Sequence, residues 1–118
     1  MQHEYWHKID NGERVWHILV DNASIYMITN VKNGKKYIGC TTQDVYERFR
    51  QHMWSIKRRD HANITDYDGE FVVETLVSDI PQPSAYMVEK ALMIAYRTYD
   101  PAIGYNNRDK YKFPKVAR

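Results

Sequence analysis

The chain has 118 residues, enough for one domain with a modest core and too few for a second module. Its 17 Lys and Arg against 15 Asp and Glu leave a formal charge of +2, which permits nucleic-acid binding without arguing for it. A single cysteine, Cys40, excludes an internal disulfide framework and a cysteine-type zinc site, and no apolar run approaches the length of a membrane span.

With no signal-peptide pattern at its start, the chain is expected to remain cytoplasmic and off membranes. Residues 1–23 read as an N-terminal extension. Two strand-like runs, 4–9 and 14–20, flank Asp10-Asn11-Gly12-Glu13, a hairpin signal, with Val15, Trp16, Ile18 and Val20 as packing residues. This hairpin is expected to extend a sheet formed by later strands. His3, His7 and His17 have no carboxylate or cysteine partner in the pattern, so they read as surface or cross-strand residues.

Ser24 to Thr29 is short and rich in Ile, Tyr and Thr, Asn33-Gly34 signals a tight turn, and Lys36 to Cys40 supplies the return strand. Tyr26 and Tyr37 therefore stand on adjacent strands, where cross-strand aromatic packing is the default reading from position alone. After Cys40-Thr41-Thr42 the apolar residues Val45, Phe49, Met53 and Ile56 recur at helical spacing. Arg48 and His52, four residues apart, share one face of that helix at the border of its apolar stripe, pointing towards the protein body.

Arg48, Arg50, Lys57, Arg58 and Arg59, with Lys32, Lys35 and Lys36 before them, concentrate positive charge on and around the helix, while Asp66, Asp68, Glu70 and Glu74 follow. A polarised surface with one phosphate-facing side fits this distribution, and so do simply solvated helix and turn charges. Glu70 to Val77, with Phe71, Val72, Val73, Leu76 and Val77, reads as a nearly buried strand, central or next to central in the sheet. His61 lies in the polar stretch before it, nine residues after His52.

Pro81-Gln82-Pro83-Ser84 breaks that strand and starts a second helix, with Ser84 the expected N-cap. On it, Glu89 shares a face with Ala85, Leu92, Met93 and Tyr96. Burying an ionised carboxylate costs several kcal/mol unless it is paired or binds a cation, so Glu89 calls for a partner. A pair with Arg48 and a bound metal ion both answer that need. The helix is expected to end near Tyr99-Asp100-Pro101, Gly104-Tyr105-Asn106 follows, and 109–118 is a basic tail without periodicity, expected to be flexible and able to touch nucleic acid.

Taken in order, Ser24-Ile25-Tyr26, Tyr37-Ile38-Gly39, Arg48, His52, Glu89 and Gly104-Tyr105-Asn106 resemble the GIY-YIG nuclease family, most nearly a small stand-alone catalytic domain of the homing-endonuclease type. Ser24 departs from the pattern at its first glycine, but the role the family gives that motif belongs to its tyrosine. The resemblance implies an α+β fold over residues 24–108, a small, mainly antiparallel three-stranded sheet flanked by helices. It further implies a metal-dependent DNA endonuclease with one site per chain, and no membrane association.

The resemblance assigns Glu89 the divalent cation, Mg2+ or Mn2+. Tyr26, ahead of Tyr37, would be the base that activates water, Tyr37 would orient water or phosphate, and Arg48 would neutralise the scissile phosphate. His52 would hold a tyrosine hydroxyl or accept its proton, and Asn106 would hold a side chain or phosphate oxygen. Lys35, Lys36, Arg50, Lys57, Arg58, Arg59 and His61 would grip DNA. A homodimer and a separate specificity partner both stay open. The alternative is a non-catalytic nucleic-acid-binding module on the same scaffold; the intact Glu89 and Arg48 discriminate, because such a module has no physical reason to keep a carboxylate on an apolar face.

Overall fold

The structure, a computed structural model, describes residues 2–8, 14–20, 22–107 and 113, the first two stretches as backbone. In chain order its elements are β1 (Gln2–Lys8), β2 (Arg14–Val20), β3 (Ala23–Asn30), β4 (Lys36–Thr41), α1 (Val45–Lys57), β5 (Phe71–Ile80) and α2 (Gln82–Tyr96). β1 and β2 pair antiparallel as expected, with Tyr5 opposite His17. They form a two-stranded sheet of their own, so the hairpin does not extend the main sheet. The basic tail, except for Phe113, lies outside the described residues. Phe113 stacks on Tyr99, centroids 5.0 Å apart with rings 7° from parallel. None of the described helices is long and apolar enough to cross a membrane.

Three antiparallel strands in the order β4-β3-β5 make the main sheet. Because side chains alternate along a strand, the central β3 serves two cores. Ile25 and Met27 pack with Ile38, Ile80 and the α2 residues Ala85 and Met93. Tyr26 and Ile28 turn the other way, to Ile56 of α1, Ile64 and Tyr105. One helix thus covers each face, and each binds through the apolar stripe that its sequence spacing indicates.

Four local features differ from the sequence reading. Gly34 takes φ 76°, but Asn33 is not among the positive-φ residues, so the β3–β4 connection is not a two-residue turn. It is a longer loop closed by Gly34 N–H donating to Asn30 O at 2.7 Å. β5 is an edge strand that is only partly covered: Phe71 and Val73 pack into the α1-side core and Leu76, Val77 and Ile80 into the α2-side core, while Val72 is 53% exposed. Pro81, not Ser84, occupies the N-cap of α2, and its carbonyl accepts from Ser84 N–H at 2.9 Å. α2 ends early, at the left-handed Arg97, so that Tyr96 lies in its last turn and is exposed although it shares the Glu89 face.

The chain after α2 returns along the outer edge of β4. Gly104 forms a parallel bridge with Lys36, whose carbonyl accepts from Tyr105 N–H at 2.9 Å. A Cβ on Gly104 would lie 2.5 Å from Thr98 Cα, 2.6 Å from Thr98 O and 2.7 Å from Lys36 O, all backbone atoms that cannot rotate away. Gly104→Ala is therefore expected to cost about 1–3 kcal/mol, the usual penalty of overpacking. Urea denaturation measures it, and an unchanged midpoint would contradict this account of the return segment.

Candidate active site

Tyr26 and Gly39 are direct cross-strand partners. The tyrosine ring lies over the glycine so closely that a Cβ there would sit 2.4 Å from the Tyr26 hydroxyl oxygen. Gly39 is thus an opening in the sheet surface through which the ring crosses β4. The β3–β5 ladder is irregular on both sides of Ile25, next to Tyr26, the kind of break that re-aims a side chain.

The Tyr26 hydroxyl meets Nε2 of His52 at 2.6 Å. His52, 2% exposed on the inner face of α1, meets Nε2 of His61 through its Nδ1, also at 2.6 Å. His61 in turn accepts at Nδ1 from the backbone N–H groups of Asn63 (3.0 Å) and Ile64 (2.9 Å). Tyr37 sets its ring edge against both imidazoles, at 5.2 Å from His52 and 5.7 Å from His61. Expected from the sequence as a DNA-contacting loop residue, His61 has both ring nitrogens engaged inside the protein.

Asn106 is buried, and its amide closes both ends on one residue: Oδ1 accepts from Ile38 N–H at 2.7 Å and Nδ2 donates to Ile38 O at 2.9 Å. It continues the return segment as a clamp on the β4 edge between Tyr37 and Gly39. Its neighbour Tyr105 donates to Asp66 at 2.5 Å and accepts from Asn30 at 3.1 Å, tying the same segment to the loop after α1. Asn30 did not stand out in the sequence, and Tyr105 did so only as part of Gly104-Tyr105-Asn106, because their partners are distant along the chain.

Beyond the clamp, an open cleft of about 470 Å³ at the β4 edge is lined by Cys40, Thr41, Arg48, Ala85 and Glu89 among others. Here α1 from one face and α2 from the other meet round the end of the strand, bringing a guanidinium and a carboxylate to one hollow. Arg48 starts in the first turn of α1, which Asp44 caps by accepting from Glu47 N–H at 3.1 Å. Its guanidinium donates to Gln51, which donates to Gln43. Glu89 is 3% exposed on α2, between Ala85 and Met93.

Burial dominates the electrostatics. It drives the Tyr26 phenol well above its ordinary value, with Tyr37 and Glu89 adding to the rise and Arg48 opposing it. Tyr37 is raised for the same first reason. Arg48 favours the phenolate at both tyrosines, but desolvation outweighs it. Burial, with Arg48 and His61, lowers His52 to about 3, and burial also lowers His61.

The basic residues expected at the DNA surface all have local partners. Arg50 pairs with Glu47 and Arg58 with Asp60 (3.2 Å). Lys57 lies over the Trp54 ring, Arg59 over Tyr67 and Lys35 over Tyr105, while Lys36 donates to Thr29. Exposed pairs of this kind contribute little, so phosphate can displace them at small cost.

The two neutral histidines give a stability signature. In the unfolded chain an imidazole takes up a proton near pH 6.5, whereas folded His52 resists until about pH 3. Their contribution is present above pH 6.5 and is lost as pH falls, by about 1.4 kcal/mol per pH unit for each histidine kept neutral. Urea midpoints measured from neutral to acid pH should drop accordingly, with a shallower drop in His52→Gln. Parallel slopes for the two proteins would contradict the buried, neutral His52.

No curated protein matches the chain. Among solved structures, the catalytic domain of intron endonuclease I-TevI, a glutamate-to-alanine mutant, superposes with a TM-score of 0.58 at 23% identity, covering 76% of this chain and 97% of that one. That likeness speaks for the fold. The family model for the GIY-YIG catalytic domain matches residues 22–102, from the start of β3 to beyond α2. The match takes in the tyrosine pair, the α1 arginine and histidine and the α2 glutamate, and the chain belongs to the GIY-YIG family of nucleases.

Proposed function

We propose that this endonuclease hydrolyses DNA phosphodiester bonds with a divalent cation held by Glu89, using one site per chain. The observation that carries the reading is a buried carboxylate, Glu89, lining one open cleft with Arg48, both near enough to the tyrosine pair to act on it electrostatically. Nucleases of this family are generally divalent-metal dependent. The donor set fits such an ion. Among the described residues no three His, Cys, Asp or Glu side chains gather to hold a metal, which argues against a protein-enclosed site. A single carboxylate completed by water and phosphate oxygens suits magnesium or manganese. When bound, the cation supplies Lewis-acid polarisation of the phosphate and offsets the Glu89 charge that helps to raise Tyr26.

The chain's own residues divide the remaining work. Arg48, held by Gln51, offers a planar guanidinium to the scissile phosphate. Tyr26 takes the proton of the attacking water, which requires its phenolate, and Tyr37 orients water or phosphate. Asn106 acts through β4, keeping Tyr37 and Gly39 in register, and is a positioning residue. The exposed Lys and Arg side chains around α1 exchange their local partners for backbone phosphates, so binding weakens with salt.

Supercoiled plasmid incubated with magnesium tests this reading. The wild type should nick before it linearises, since one site breaks one strand per encounter. Glu89→Gln should abolish magnesium-dependent cleavage while keeping fold and DNA affinity, and Tyr26→Phe should lose about 10²-fold or more. For a phenolate base with a raised pKa, the wild-type rate should still climb with pH above neutrality. Undiminished cleavage by Glu89→Gln would overturn the metal role.

A further inference from the structure

We propose that His61 is a positioning residue: through His52 it makes the Tyr26 oxygen a hydrogen-bond acceptor, so that Tyr26's own proton points away from the histidines. The assignment follows from counting protons along the chain of contacts. His61 Nδ1 receives two backbone N–H groups, from Asn63 at 3.0 Å and Ile64 at 2.9 Å. A proton on that nitrogen would confront both donors, so Nδ1 is bare. A neutral imidazole carries one N–H, which places the proton of His61 on Nε2.

His61 Nε2 faces His52 Nδ1 at 2.6 Å, and two nitrogens at that distance share a single proton. His61 supplies it. His52 Nδ1 is then the acceptor, its proton sits on Nε2, and Nε2 donates to Tyr26 at 2.6 Å. Reversing the chain would put a proton on His61 Nδ1 against two backbone donors. Making His52 an imidazolium would leave His61 with no proton on either nitrogen or break the contact. Burial acts in the same direction, because it keeps both rings neutral.

The source of the polarity is therefore two backbone amides whose position is fixed by packing. Ile64 is fully buried beside Ile56 and Tyr26, and the Asn63 side chain donates to Tyr105 O at 3.2 Å. A phenolate at Tyr26 would keep the His52 bond, now charge-assisted, without moving any proton along the chain. His52 in this arrangement supports the ionised tyrosine as a donor and does not take its proton.

The proton assignment stands independently, whereas its catalytic consequence rests on the nuclease reading. Nuclear magnetic resonance of the full chain, with its histidine rings isotope-labelled, reads the tautomers directly near neutral pH, and His52→Gln and His61→Gln assign the signals. Both rings should carry their proton on Nε2 with Nδ1 bare. A His52 protonated at Nδ1, as neutral tautomer or imidazolium, would overturn the proposal.

The second arm reverses the polarity. The amide of His61→Gln can still donate to His52, whereas the carboxylate of His61→Glu can only accept, drawing a proton onto His52 Nδ1. Plasmid kcat should fall at least roughly tenfold for His61→Glu with KM little changed, and stay within about threefold for His61→Gln. Equal losses in the two variants would reduce His61 to packing and overturn its functional role. Should the wild type fail to cleave at all, the nuclease reading falls while the tautomer measurement still decides the proton assignment.

Discussion

The placement of one ring governs the site: Tyr26 crosses β4 over a residue that has no side chain. Any Cβ at Gly39 would meet the Tyr26 hydroxyl and ring at 2.4–3.0 Å, well inside van der Waals contact. The hydroxyl reaches His52 on α1 only because the ring lies there, and His52 reaches His61 only because α1 is docked through Phe49, Met53 and Ile56. The Asn106 clamp holds β4 from its outer side and so keeps the glycine under the ring. Sheet register, helix docking and the return segment thus converge on one phenol oxygen.

That arrangement sets a tension between burial and charge. Desolvation raises both tyrosines and lowers both histidines, so the unliganded site is held neutral apart from Arg48 and Glu89. A neutral pocket is a poor place for a base until positive charge arrives. In the proposed reaction Glu89 would hold a cation, which would offset its charge, and Arg48 would meet the phosphate. The cleft at the open end of β4 is the place where α1 and α2 can contribute to the same hollow.

Much of this was legible in the sequence where a local period carried it. The Ile, Tyr and Thr content of Ser24 to Thr29 with the Asn33-Gly34 signal gave β3 and β4, the helical spacing of Val45, Phe49, Met53 and Ile56 gave α1 with Arg48 and His52, and the spacing after Ser84 singled out Glu89. What escaped was set by tertiary context. Glu70 to Val77 reads as a nearly buried strand because most of it is apolar, yet at the edge of the sheet it is only partly covered, and Val72 stays exposed. Asn106, expected to hold a side chain or phosphate oxygen, holds the backbone of Ile38 instead, a partner 68 positions away that no local pattern marks. The role of His61 depends on the path of the loop after α1, which bends back so that backbone amides cap the imidazole. No periodicity encodes that bend.

The central claim is that Glu89 would hold a divalent cation and Arg48 the scissile phosphate, in one cleft beside Tyr26. Its most direct measurement is a crystal structure of the full chain with a DNA oligonucleotide and manganese, collected at a wavelength where manganese scatters anomalously. The account predicts one anomalous peak at the Glu89 carboxylate, with a backbone phosphate between it and Arg48 and the Tyr26 oxygen facing that phosphate. A peak remote from Glu89, or a phosphate bound elsewhere with Arg48 and Glu89 joined only to each other, would contradict it.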